Sequence, residues 1–188
     1  MQVERTAIPG VLIITPRRFG DARGFFAETY NAEALAAQGI ETAFVQDNHS
    51  LSETEGTVRG LHFQAPPHAQ DKLVRCGRGC LFDVVVDIRK GSPTYGKWVG
   101  AELSFENGKQ LLAPAGMAHG FITRAPHTEI IYKCSDFYAP ATEGALLWND
   151  PAIGIDWGFD GEAVLSEKDA IAPALAELDS PFVWNTPS

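Results

Sequence analysis

Residues 72–88 read KLVRCGRGCLFDVVVDI. Two short runs rich in apolar and β-branched residues flank Gly77-Arg78-Gly79, the layout of two strands joined by a glycine-rich turn. In the second run Phe82, Val84, Val86 and Ile88 share one face, and Asp83 and Asp87 lie on the other. Working outward, KQLLAPAGMAHGFIT (109–123) repeats the strand, turn, strand pattern, and TEIIYKCSDFY (128–138) supplies another strand. Helical pattern is scarce. NAEALAAQG (31–39) is one candidate. The segment from Ser166 to Leu178 is the other, with Ser166 or Asp169 as its cap and Pro173 restricting its extent. Many short strands and few short helices, with no linker dividing residues 1–188, predict a single all-β domain: an antiparallel jelly-roll or other barrel. An immunoglobulin-type sandwich would read similarly.

The chain has 188 residues, enough for one sizeable core and short for two. Its formal charge of −9 argues against holding a nucleic acid, because phosphate contacts run on clusters of Lys and Arg. One small diphosphate is still within reach of a few converging cations. No run of 18 apolar residues exists, so no membrane partner is expected. The opening MQVERTAIPG lacks the apolar stretch of a secretory signal, which predicts a cytoplasmic protein. Cys76, Cys80 and Cys134 lack CxxC spacing and read as buried free thiols. Asn48-His49-Ser50 matches a glycosylation sequon, which has no meaning without secretion.

Several familiar motifs fail on chemistry. Gly91 to Lys97 imitates a phosphate-binding P-loop, but Trp98 stands where a hydroxyl would bind magnesium, and no helix pattern follows. No GxGxxG follows a strand, and neither GxSxG nor HExxH occurs. A metal-binding barrel of the cupin type presents two histidines one residue apart. Here that place reads His62-Phe63-Gln64, with His119 alone where a third ligand would be. Two histidines make a poor transition-metal site, so no metal is expected.

His62 lies in GTVRGLHFQAPP (56–67), with Arg59 three residues before it and Lys72 ten after. In a regular strand Arg59 and His62 point to opposite faces, whereas a bulge at Gly60 turns both inward. Lys72 shares parity with Val74 and Cys76. A buried lysine without a partner is costly, so its ammonium is either paired or functional. Tyr132 shares a face with Ile130 and Cys134. Its ordinary reading is a core tyrosine with its hydroxyl at the rim. Asp169 reads either as a helix cap or as a carboxylate orienting a histidine.

The segments DARGFFAETY (21–30), QDNHSLSETEGTVRGLHFQAPP (46–67), KLVRCGRGCLFDVVVDIRKGSPTYGKW (72–98), PAGMAHGF (114–121), YKCSDFYAP (132–140), WNDPAIGIDW (148–157) and LSEKD (165–169) resemble the dTDP-4-dehydrorhamnose 3,5-epimerases. The resemblance runs in order along nearly the whole chain. It implies a cupin-type jelly-roll barrel, a homodimer, no cofactor and a dTDP-4-keto-6-deoxyhexose substrate. It makes His62 the proton acceptor, Asp169 its dyad partner, Tyr132 the proton donor and Lys72 the group facing the C4 carbonyl oxygen. It places Arg23, Phe25, Glu28, Gln46, Asn48, Arg59, His119, Glu143 and Lys168 against the substrate, with Arg23 and Arg59 on the diphosphate. For Phe25, a core role competes with packing on the nucleoside. A mono-epimerase acting at C3 or C5 alone would use the same residues. A metal-dependent cupin enzyme and a non-catalytic sugar-nucleotide binding module are the readings from other classes. The closing FVWNTPS (182–188) maps to no role.

Overall fold

The turn at Gly79 is a corner, not a hairpin. In the computed structural model, which describes residues 1–185, β7 (Lys72–Arg78) and β8 (Cys80–Asp87) follow each other in sequence but lie in different sheets. Numbered from the N-terminus, the preceding strands are β1 (Gln2–Arg5), β2 (Leu12–Thr15), β3 (Arg18–Asp21), β4 (Gly24–Ala27), β5 (Gln46–Ser52) and β6 (Val58–Gln64). Those that follow are β9 (Trp98–Ser104), β10 (Gln110–Ala113), β11 (Met117–Thr123), β12 (Thr128–Cys134) and β13 (Glu143–Ala145). One antiparallel sheet runs β1-β2-β10-β7-β12-β5, and the second β13-β6-β11-β8-β9. The strands β3 and β4 form a separate hairpin. At the corner Gly79 has φ +76°, and a Cβ there would meet Thr128 Oγ1 at 2.5 Å, so glycine alone suits the crossing.

The two sheets face each other as a cupin-like jelly roll, with Val74, Leu81, Val85, Leu103, Leu111 and Ile130 packed between them. The strand β8 lies between β11 and β9 and is buried on both faces. Its Val84 and Val86, with Ile88 just beyond its end, pack in a second cluster with Leu146, Ile153, Trp157 and Phe182 from the C-terminal segment. Asp83 and Asp87 therefore do not mark a wet face, and both are fully buried. Asp87 is satisfied by Arg89, Ser92 and Thr94. The P-loop imitation at 91–97 thus supplies hydroxyls to a buried carboxylate, and the segment 146–182 becomes a strap over the outer face of the five-stranded sheet, while residues 186–188 of the closing FVWNTPS lie outside the described residues.

The helices are shorter than the sequence pattern suggests. The first, α1, covers Ala32–Ala36 and is capped by Asn31. The second, α2, covers Glu167–Ala170 and is capped by Ser166. A separate 3-10 turn follows at Leu175–Glu177, because Pro173 favours extended backbone before it and breaks the run in two. The cysteines also need correction: Cys76 and Cys134 are buried free thiols, but Cys80 is half-buried. No helix among the described residues is long and apolar enough to cross a membrane.

Candidate active site

The site begins with an irregularity in β6. His62 pairs with His119 on β11, but Arg59 pairs with Phe121, so the ladder slips by one residue around Gly60. A Cβ on Gly60 would lie 2.6 Å from the His119 carbonyl oxygen, and its φ is +113°. The bulge brings Arg59 and His62 onto one cavity, and β7 and β12 contribute Lys72 and Tyr132 from the opposite sheet.

That cavity has two lobes, of about 420 Å³ and about 350 Å³. His62, Lys72 and Tyr132 line both, so the three side chains stand where the lobes meet. Arg59, His119 and Asp169 belong to the first lobe, over a floor that includes Phe121 and Ile130. Gln46, Asn48 and Glu143 belong to the second.

Asp169 Oδ1 accepts a 2.6 Å hydrogen bond from His62 Nε2. The same carboxylate is held from behind: Ser166 Oγ donates to Asp169 Oδ2 at 2.9 Å and accepts from the Asp169 N–H at 3.1 Å. One serine therefore caps α2 and orients the carboxylate. Because Nε2 carries the hydrogen, Nδ1 of a neutral His62 keeps the lone pair. Burial pulls the His62 pKa below 6.5, although Asp169 pushes the other way, so the imidazole is free to accept a proton at neutral pH. Burial raises the Tyr132 phenol above 10 and keeps it a proton donor. Burial also lowers the Lys72 ammonium from 10.5, against the opposing influence of Cys134, Asp83 and Glu143.

At the rim, Glu143 accepts from Lys168 Nζ at 2.6 Å and from the Tyr138 hydroxyl at 3.2 Å. Burial pushes Glu143 up, yet Lys168 holds its carboxyl below the usual value. Gln46 accepts from the Tyr138 N–H at 2.9 Å and donates to Asn48 at 3.1 Å. Arg59 donates to Ser52 and to the Leu51 carbonyl. Among the described residues, no three His, Cys, Asp or Glu side chains converge as a metal site would require.

Three predicted residues are not brought to this cavity by the single chain. Arg23 is exposed and paired with Asp21 at 2.6 Å, at the turn of the β3–β4 hairpin. Phe25 packs on Phe105 with the Arg18 guanidinium over its ring. Glu28 accepts from Asn31 and lines a groove shared with Arg75 and Lys133. Conversely, sequence reasoning missed Tyr138, Cys134 and Gln64, which line the second lobe. All three lie inside segments that carry the family resemblance, without a local pattern of their own. Asp83, bonded to His119 inside the barrel at 2.8 Å, was visible in the sequence as a carboxylate on an apolar strand.

Residues 5–177 match the sequence family described as dTDP-4-dehydrorhamnose 3,5-epimerase. The chain belongs to that family. It is accordingly an isomerase. A dTDP-4-dehydrorhamnose 3,5-epimerase of Salmonella typhimurium is 54% identical over 93% of this chain and 96% of its own length. The crystal structure of the Legionella pneumophila dTDP-6-deoxy-D-glucose-3,5-epimerase, in complex with dTDP-4-keto-L-rhamnose, superposes with a TM-score of 0.91. That protein is 44% identical, over 95% of this chain and 94% of its own. A 3'-monoepimerase from Streptomyces bikiniensis, in complex with dTDP-quinovose, has the same fold at TM-score 0.86. It is 35% identical over 91% of this chain and 86% of its own. The mono-epimerase fold is thus shared, at lower identity than that of the Salmonella and Legionella 3,5-epimerases.

Proposed function

We propose that the chain inverts C3 and C5 of dTDP-4-dehydro-6-deoxy-D-glucose, giving dTDP-4-dehydro-L-rhamnose. The observation that supports this most is the meeting of an imidazole, an ammonium and a phenol around one cavity. Both inverted carbons are α to the C4 ketone. Removing either hydrogen gives an enolate, and returning a proton from the other face inverts the centre. One base and one acid therefore serve two carbons, and the substrate's own carbonyl replaces a redox cofactor.

A C–H beside a ketone is a weaker acid than imidazolium by roughly ten pKa units, each about 1.4 kcal/mol. His62 alone does not close that gap. The Lys72 ammonium stabilises the charge developing on O4, and preorganised charge of this kind is commonly the largest catalytic contribution. Asp169 fixes the imidazole and stabilises the imidazolium once the proton arrives. Tyr132 delivers a proton to the opposite face. Arg59 takes diphosphate oxygens, and Gln46, Asn48, His119, Glu143 and Lys168 contact the rest of the substrate.

The working unit in this reading is a homodimer. Arg23 and Phe25 of the β3–β4 hairpin, and Glu28 just after it, do not line their own chain's cavity, and Phe26 of the hairpin is exposed at 67%. A second copy's cavity is the place where Arg23 meets the diphosphate.

The test is incubation with dTDP-4-keto-6-deoxyglucose in deuterated water. Deuterium should enter at both C3 and C5. Exchange at one carbon alone would make the chain a mono-epimerase, and no exchange would end the proposal.

A further inference from the structure

Gln64 stands where a metal-binding barrel carries its second histidine, and the epimerisation scheme gives it no role. It follows His62 by two residues on β6, so both side chains leave the strand on the same face. Gln64 is buried, lines the second lobe and lies opposite Glu143 in register. Its amide is committed to backbone groups. Nε2 donates to the Phe137 carbonyl at 2.9 Å and to the His68 carbonyl, and Oε1 accepts from the Ala139 N–H at 2.8 Å. Both amide hydrogens are thereby used. The partners also fix which way the amide points, because a flipped amide would set its oxygen against two carbonyls.

Tyr138, the residue between, is held from the other sheet: its N–H donates to Gln46 Oε1 of β5 at 2.9 Å. Residues 137, 138 and 139 are therefore each tied by a glutamine, from β5 or from β6. The Tyr138 hydroxyl reaches Glu143 at 3.2 Å, so this ring bridges the rim of the second lobe. Phe137 and Tyr138 are nevertheless 64% and 58% exposed. Water satisfies the backbone of a loop this exposed at little cost, so solvation does not call for a buried amide here. What the amide supplies is a single loop conformation, fixed before any substrate arrives.

Resting on the epimerase reading, we propose that Gln64 is a positioning residue for substrate binding. It acts through the loop 137–139, holding Tyr138 at the rim of the second lobe in the conformation that receives the substrate. Proton transfer stays with His62 and Tyr132, where the two lobes meet.

Gln64→Met keeps the length of the side chain and removes all three hydrogen bonds. Affinity is read by calorimetric titration with dTDP, and rates as deuterium incorporation into dTDP-4-keto-6-deoxyglucose. The dTDP dissociation constant and KM should both rise about ten-fold, the scale of the ordering cost that a preformed loop avoids, with kcat kept within about two-fold. Tyr138→Ala should weaken affinity by a similar factor. Adding Gln64→Met to it should weaken affinity by less than about two-fold more, because the loop has already lost the side chain it positions. A merely structural Gln64 would lower the melting temperature and leave dTDP affinity and KM in place. Unchanged affinity in Gln64→Met, or two penalties that multiply in the double variant, overturns the inference. If Gln64→Met does not fold, Gln64→Glu takes its place in the same comparison, since it keeps the acceptor for Ala139 and loses both donated bonds. Failure of both variants to fold makes Gln64 a residue of the fold alone and also overturns the inference. Wild-type protein that binds dTDP but exchanges no deuterium fails the epimerase reading, whereas multiplied penalties fail only the role of Gln64.

Discussion

His62 and Asp169 stand 107 positions apart in the chain and meet at 2.6 Å. The first comes from a bulged strand of the barrel, the second from a four-residue helix in the strap that crosses it. The acid and base chemistry depends on how well that strap is docked.

Removing the base or the donor should stop the reaction without emptying the pocket. His62→Ala and Tyr132→Phe should each lower kcat by about 10²- to 10⁴-fold, the usual range for a lost general acid or base. Calorimetric titration with dTDP should show affinity within a few-fold of wild type. Near-normal turnover in both variants would refute the assigned roles.

The pH dependence follows from the direction of the His62 shift. Burial lowers its pKa below 6.5 in the free protein, so the acid limb of kcat/KM should lie below that value. Asp169 pushes the pKa up, so Asp169→Asn should move the limb to still lower pH while reducing the plateau rate. The same sign applies to stability. The folded protein resists protonating His62, so this contribution is complete above pH 6.5. It is lost as the pH falls from there through the lowered folded-state value. Nuclear magnetic resonance titration of the imidazole reads the pKa directly, and a limb above 6.5 would contradict the assignment.

Ser166 should act through Asp169. Ser166→Ala removes a cap worth about 1 kcal/mol and also the hydroxyl that holds the second carboxylate oxygen. Turnover should fall several-fold with little change in KM, and Ser166→Thr should restore most of it. Loss of stability with unchanged kcat would reduce the serine to a helix cap.

Arg23 gives a test of the shared site. Arg23→Ala should raise KM about ten-fold or more through loss of charged hydrogen bonds, with kcat largely kept. Mixing it with His62→Ala subunits, after reversible dissociation, should create one intact pocket per mixed dimer. Activity should then exceed the sum of the two parents at low substrate. No recovery would place Arg23 outside the partner's pocket.

The strands of this fold were legible because their apolar runs are short and bounded by glycine and proline. Sheet membership was not. The run 72–88 looks the same whether Gly79 turns a hairpin or a corner, because both need a positive φ. The burial of Asp83 and Asp87 was hidden for a related reason: alternation shows two faces and does not say that both are covered. At the site, the Gly60 bulge was readable from the parity conflict between Arg59 and His62. The contribution of Ser166 depends on contacts that no local pattern encodes. Tyr138 is an exposed aromatic residue whose place at the rim is set by the loop after β12.

The strap that carries Asp169 is synthesised after every strand of the barrel. When β12 leaves the ribosome, the strands of both sheets apart from β13 already exist, and His62, Lys72 and Tyr132 have been made. The imidazole then has no carboxylate to lean on. A chain terminated after β13 carries the imidazole, the ammonium and the phenol but lacks both the dyad carboxylate and the apolar side chains that cover the outer face of the five-stranded sheet. The dyad is thus completed only once the chain beyond the barrel strands has been made.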